Sequence, residues 1–310
     1  MTSAVAAPGG AIDRVTASFL RACELDVAVR KPGNVSLASP GHGMQAAQFT
    51  HSARAAAGPL CQAGARVGAR IEAAQAASWT AAGCNTNLGI VLLCAPIAAA
   101  VERLPASAGP IDIARLKQPI EDVLAGLDLD DARAAFRAIS HARPGGLGSA
   151  PSQDVHAQPT IGLREAMTLA AGRDSIARQY RDGFADVLVL AGDALGEGFH
   201  PGRPGDAVAP LTARVVQRVF LAVLARLPDS HIVRKHGEGM AQIVMAAAQG
   251  WHARAQQGEC LAADAAFAAW DTQLKNAGIN PGTTADLTVA ALMLAGVAHP
   301  PAQVHGTDRD

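Results

Sequence analysis

Aromatic side chains are scarce in this chain, at 4% of residues with a single Tyr. Runs of β-branched residues are also few, which argues against an extended sheet. Charge of either sign is balanced to a net −1. That excludes the basic footprint of a nucleic-acid binder or of a protein drawn to an anionic membrane. Cysteine is sparse and unpaired in pattern: five residues at 23, 61, 84, 94 and 260, an odd number without a Cys-x-x-Cys pair. This suits reduced thiols in the cytoplasm and excludes a disulfide framework. The longest apolar run, Leu88 to Val101, contains Pro96. It falls short of the roughly 20 residues that cross a bilayer. The first ten residues have neither a basic n-region nor an apolar h-region, so no signal peptide is expected. Lysine is the rarest cation, at four of the 26 basic residues.

What is present points to helices. Ala dominates, and Ala, Leu and Arg are strong helix formers. With 310 residues, 49% hydrophobic and 17% charged, the chain can bury a sizeable core. No internal repeat or clear linker interrupts it. The expected architecture is all-α: a single multi-helix domain over 1–310, with loose tails at 1–10 and 299–310. Apolar residues recur at helical spacing from Ile12 to Val27, and a residue before Pro32 resists the α region. Further helices are expected over Cys84–Arg103, Asp130–His141, Leu163–Ala171, Ser175–Leu195, Leu211–Leu227, Gly239–Arg254, Leu261–Asn276 and Leu287–Val297. Asp186 to Leu190 has local strand character but no partner strand. Two irregular segments, Arg143–Gly162 and Gly196–Pro210, are long enough to serve as binding segments. Gly145-Gly146-Leu147-Gly148 matches neither a Rossmann nor a Walker spacing, which removes a nucleotide-loop reading.

Four polar stretches stand out against this apolar background. Arg30-Lys31-Pro32-Gly33-Asn34-Val35-Ser36 carries the Pro-Gly signature of a type II turn, which would project Lys31 and Asn34 from a rigid base. Asn85-Thr86-Asn87 precedes the apolar run, either as caps of a core helix or as the polar mouth of an anion site. Asp229-Ser230-His231-Ile232-Val233-Arg234-Lys235-His236-Gly237 packs an acid, two His and two cations around two apolar residues. Such clusters tend to hold perturbed pKa values. In Asn280-Pro281-Gly282-Thr283-Thr284-Ala285-Asp286, Asn280 reads as a cap with Pro281 at the first helical position, and Asp286 faces the inner first turns of the last helix. Two of the four Lys, Lys31 and Lys235, fall in these stretches, and a compact ammonium suits phosphate oxygens.

Lys31-Pro32-Gly33-Asn34-Val35, Gly83-Cys84-Asn85-Thr86-Asn87-Leu88-Gly89 and Asn280 to Leu287 resemble, in order and approximate spacing, the three motifs of the triphosphoribosyl-dephospho-CoA synthase family. The Asp229–Gly237 segment matches as well, and the likeness covers about Val15 to Leu294. The resemblance implies a helical enzyme. It implies a reaction that joins the ribose C1 of ATP to the 2′-hydroxyl of dephospho-CoA, releases adenine and keeps the triphosphate. There are departures. The citrate-lyase branch typically has Asn-Thr-His-Lys-Gly where this chain has Asn85 to Gly89, and its His-x-Asp-Met segment is shortened to His42-Gly43-Met44. The sequence looks more like the branch of methylotrophs and methanogens. There the acceptor would belong to tetrahydromethanopterin-type one-carbon cofactor synthesis. A non-catalytic protein that binds a phosphorylated cofactor is the alternative of a different class.

Set against that chemistry, Lys31, Asn34, Ser36, Asn85, Thr86, Asn87, Arg234, Lys235, Asn280, Thr283 and Thr284 are candidates for holding the nucleotide and its phosphates. Mg²⁺ is expected with a triphosphate, with Asp286 first and Asp229 second as ligands. Asp229, His231 and His236 are the candidates for general base. The expected partners are ATP with dephospho-CoA or another small cofactor precursor, without nucleic acid or membrane. Ala-rich helix faces could also pair two copies of the chain.

Overall fold

The computed structural model describes residues 10–104, 111–150 and 152–299. The expected tails fall almost entirely outside them. Among the described residues there are fourteen α-helices, one short 3₁₀ turn and no β-strand. In chain order the helices are α1 (Ala11–Ala28), α2 (Ala46–Leu60), α3 (Val67–Ala82), α4 (Leu88–Glu102), α5 (Ile113–Ala125), α6 (Leu129–Ala142) and α7 (Leu163–Ala170). Then come α8 (Ser175–Arg181), α9 (Ala185–Gly196), α10 (Pro210–Leu224), α11 (Ser230–His236), α12 (Glu238–Gln256), α13 (Ala265–Asn276) and α14 (Gly282–Ala298). None of them is long and apolar enough to cross a membrane.

Two helices have no polar stripe, and neighbouring helices cover them. From Leu287 to Ala298 every residue of α14 is buried. A helix that is apolar all round needs neighbours on every side; α1, α4, α9 and α10 supply them. The second such helix, α4, is covered by α1, α3, α5 and α14. Its Pro96 lacks an N–H, so the carbonyl of Leu92 one turn back has no helical partner. The chain's one tyrosine fills that gap: the buried Tyr180 hydroxyl donates to Leu92 O at 2.6 Å. A smaller apolar cluster lies where α10, α11, α12 and α13 meet, around Phe220, Ile232 and Phe267.

The structure shifts several expected boundaries. The stretch expected as one helix over Ser175–Leu195 is two, because Gly183 and Phe184 take left-handed backbone between α8 and α9. The strand character of Asp186 to Leu190 loses to tertiary packing: that segment lies inside α9. Leu261–Asn276 splits into a 3₁₀ turn at Leu261–Ala263 and α13, which Asp264 caps. Helix α4 starts at Leu88, not Cys84, and the Asn85 side chain accepts from Leu88 N at 3.2 Å. Pro281 is the N-cap of α14 and not its first helical residue, and Asn280 does not cap it.

Candidate active site

The first and last polar stretches lock together. Asn34 N donates to Lys31 O at 3.0 Å with Gly33 at φ +79°, which closes the expected type II turn over Pro32 and Gly33. Gly33 N donates to Asp271 Oδ1 at 2.9 Å. A Cβ on Gly33 would stand 2.8 Å from Pro281 Cδ and 2.9 Å from Ile279 O, so only glycine lets the turn reach the start of α14. Asn34 Nδ2 then donates to Asn280 Oδ1 at 3.1 Å.

Other helix starts meet at the same place. Asp229 caps α11 by accepting from His231 N and Ile232 N at 2.9 and 3.0 Å through Oδ1. Its Oδ2 accepts from Thr284 N and Thr284 Oγ1 at 2.7 and 2.8 Å. All four acceptor positions of the carboxylate are thereby used. Ser175 N donates to Ser230 Oγ at 2.9 Å and so ties α8 to α11. Asp174 caps α8 with one oxygen and accepts from Arg234 Nη1 at 2.8 Å with the other.

Between these starts lies a cleft of about 370 Å³. Its polar lining includes Asp26, Asn34, Asn85, Thr86, Arg173, Asp174, His231, Arg234, Asn280 and Asp286. Its apolar lining includes Phe136, Ile139, Leu147, Met167 and Leu169.

Asp286 is the unusual group. It accepts no hydrogen bond and faces no cation at ion-pair distance among the described residues. It packs against Gly89 in the first turn of α4, where any Cβ would collide with its carboxylate. Burial pushes its pKa well above the ordinary carboxylate range. The charges of Asp26 and Asp229 add to this, Arg234 opposes it, and Asp174 adds a little more. An unpaired carboxylate surrounded by others is a place for a cation. No group of three or more His, Cys, Asp or Glu poised for a metal occurs among the described residues. The fit is to an ion that takes one or two carboxylates and completes its shell from elsewhere. Gly89→Ala is expected to fold and to lower kcat about ten- to a hundredfold, the scale of a group displaced by an ångström. Wild-type kcat in that variant would contradict the placement of Asp286.

His231 is the second. Its Nε2 is buried without a partner among the described residues. Burial lowers its pKa to about 3, helped by the charges of Lys235, Arg234, His42 and His236. The imidazole is therefore neutral at working pH. An unfolded histidine binds its proton near pH 6.5, so this site destabilises the fold as pH falls from 6.5 toward 3, and its contribution is complete above 6.5. Raised acids such as Asp26 and Asp286 work in the opposite sense, losing stability as pH rises. His231→Gln is therefore expected to flatten the fall in Tm between pH 6.5 and 5. An unchanged slope would show that His231 titrates normally.

The expected site residues divide into three groups. Asn34, Asn85, Thr86, His231, Arg234, Asn280 and Asp286 share the cleft. Lys31, Ser36, Asn87, Asp229, Thr283 and Thr284 are buried behind it. Lys31 does not project: its ammonium bonds the Asp26 carbonyl and lies 3.0 Å from Asp26 Oδ1. Asp229, expected as base and second metal ligand, has both oxygens occupied by backbone and hydroxyl donors. Lys235 and His236 are exposed, and His236 Nε2 lies 3.1 Å from Gly278 O. The sequence reading passed over Asp26, Asp174 and Arg173. For Asp26 a signal existed: it is a carboxylate on the apolar face of α1 formed by Phe19, Ala22 and Cys23.

A family model described as ATP:dephospho-CoA triphosphoribosyl transferase matches residues 12–303. The fold is similar to a crystal structure from Archaeoglobus fulgidus, provisionally assigned as a triphosphoribosyl-dephospho-CoA synthase. The match has a TM-score of 0.57 at 21% identity and covers 80% of this chain and 96% of that one. No curated protein sequence is significantly similar to the chain.

Proposed function

The chain belongs to the ATP:dephospho-CoA triphosphoribosyl transferase family, and on that premise we propose that the cleft between the helix starts is where ribosyl transfer takes place. In this reaction the bond from ribose C1′ to adenine N9 breaks. A bond from C1′ to the 2′-oxygen of dephospho-CoA forms, and adenine carries away the displaced proton. The centre passes through an oxocarbenium-like state, as in glycoside hydrolysis. Positioning and electrostatics then supply most of the acceleration.

The residues fit these tasks. Asn34, Asn85, Thr86 and Asn280 offer polar groups, and Arg173 and Arg234 offer cations, toward a polyphosphate in the cleft. Beside its bond to Asp174, Arg234 keeps a buried Nε without a partner among the described residues. Asp286, with Asp26 beside it, would hold Mg²⁺, which neutralises triphosphate charge when bound. His231, kept neutral, offers Nε2 as an acceptor for the attacking hydroxyl. Lys31 holds Asp26 in place from behind.

The observation that carries the reading is the Asp286 carboxylate, which lines the cleft with no partner of its own among the described residues. Incubation with ATP, Mg²⁺ and dephospho-CoA is expected to release adenine in step with acceptor consumed. A pterin-type acceptor in a parallel reaction tests the one-carbon alternative. No adenine with either acceptor would remove the transferase site from this cleft.

A further inference from the structure

The glycine-rich segment after α6 matches no nucleotide loop, yet the structure places it on the cleft. Pro144, Gly145, Leu147, Gly148 and Ala150 all line it. The segment lies directly against α11. A Cβ on Gly146 would stand 2.9 Å from Arg234 O, and one on Gly145 would stand 2.8 Å from Lys235 Cε. Gly146 and Gly148 have φ of +74° and +66°, a backbone other residues adopt only with strain. Gly145, Gly146 and Gly148 are exposed, while Leu147 between them is half-buried and packed on the main core. Of the glycine-flanked residues of this segment, Leu147 alone brings an apolar side chain both to the cleft and to the core. Farther along, Asp154 accepts from Ala150 N and His156 N at 2.7 and 2.8 Å and fixes its far end.

A transferase that opens a glycosidic bond faces a competitor for its ribosyl centre, because water is also a hydroxyl nucleophile. Transfer breaks C1′–N9 and forms C1′–O2′ of the acceptor. Hydrolysis breaks the same bond and forms C1′–O of water, giving adenine and free triphosphoribose. Exclusion of water is what separates the two outcomes. We propose that the strap from Pro144 to Ala150, seated on α11 by Gly145 and Gly146 and sealed by Leu147, makes this enzyme a transferase and not an ATP glycohydrolase. The inference rests on the ribosyl-transfer reading of the cleft.

The test is product partition at saturating ATP and Mg²⁺, with adenine and the triphosphoribosyl-acceptor adduct counted separately. Wild type is expected to give one adenine per adduct, with little adenine when dephospho-CoA is omitted. Leu147→Ser is expected to release at least fivefold more adenine per adduct, with the excess recovered as free triphosphoribose. Leu147→Met restores the apolar seal and is expected to return the ratio to near one. Gly146→Ala, which must lift the strap from Arg234, is expected to behave like Leu147→Ser. A ratio of one in both Leu147→Ser and Gly146→Ala, with Tm near wild type, overturns the role of the strap. Absence of adenine from wild type with acceptor present is a different result, and overturns the transfer reading itself.

Discussion

Asp286→Asn is expected to lower kcat about 100- to 1,000-fold, the scale of removing one preorganised electrostatic group, while Tm stays the same or rises. The two halves of this result have one cause. Asp286 feels the charges of Asp26, Asp229 and Asp174 and has neither a hydrogen bond nor an ion pair among the described residues. Its pKa in the folded state is raised, so folding favours the protonated carboxyl. The stability that goes with that proton is present at low pH and is lost as pH rises through the folded pKa. At neutral pH an ionised Asp286 is therefore a cost to the fold, and the neutral amide removes it. Groups retained at such a cost cluster at functional sites. Urea or thermal melts beside steady-state kinetics check both halves. A variant with wild-type kcat, or one that loses several degrees of Tm, would contradict the assignment.

Asp229→Ala is expected to do the reverse, cutting stability by about 3–5 kcal/mol, as when a buried hydrogen-bonded charge is removed and its partners are left unpaired. Four donors lose their acceptor at once: His231 N, Ile232 N, Thr284 N and Thr284 Oγ1. Two of these are first-turn groups of α11, and the other two belong to α14. The loss therefore uncaps one helix and unties it from another. Asp229→Asn cannot replace it fully, since its amide nitrogen would face a donor at either Thr284 or the α11 start. In a chain of this size the drop in Tm is on the order of 10 °C. Whatever folded Asp229→Ala remains at low temperature is expected to keep measurable turnover, because the carboxylate holds the site without touching substrate. A Tm within a degree or two of wild type would refute the bridging role.

The contrast between these two acids shows where the sequence was legible and where it was not. Both lie in polar stretches at helix starts, and both were candidates for a metal. Local pattern shows that an acid stands near a cap. It does not show whether a second helix, more than 50 residues away in the chain, saturates its oxygens. The same gap explains Lys31. Pro32 and Gly33 announce the turn correctly, but the direction of the ammonium is set by Asp26 on the preceding helix. The all-helical fold was readable from Ala, Leu and Arg content and from apolar spacing, because those signals are local. The break at Gly183 and Phe184 was not, since a left-handed Phe held by core packing leaves no mark on a helical pattern. Apolar residues that line the cleft, such as Phe136 and Met167, look like any core residues until the walls around them are known.

The most direct test of the central claim follows the triphosphate itself. ATP labelled at the γ-phosphorus is incubated with the enzyme, Mg²⁺ and dephospho-CoA. The account predicts that the label stays with ribose and appears on the acceptor, one label for each adenine freed, and that Asp286→Asn all but stops this. Label released as phosphate or pyrophosphate, with adenine still attached to its ribose, would mean that the cleft cuts the other end of ATP.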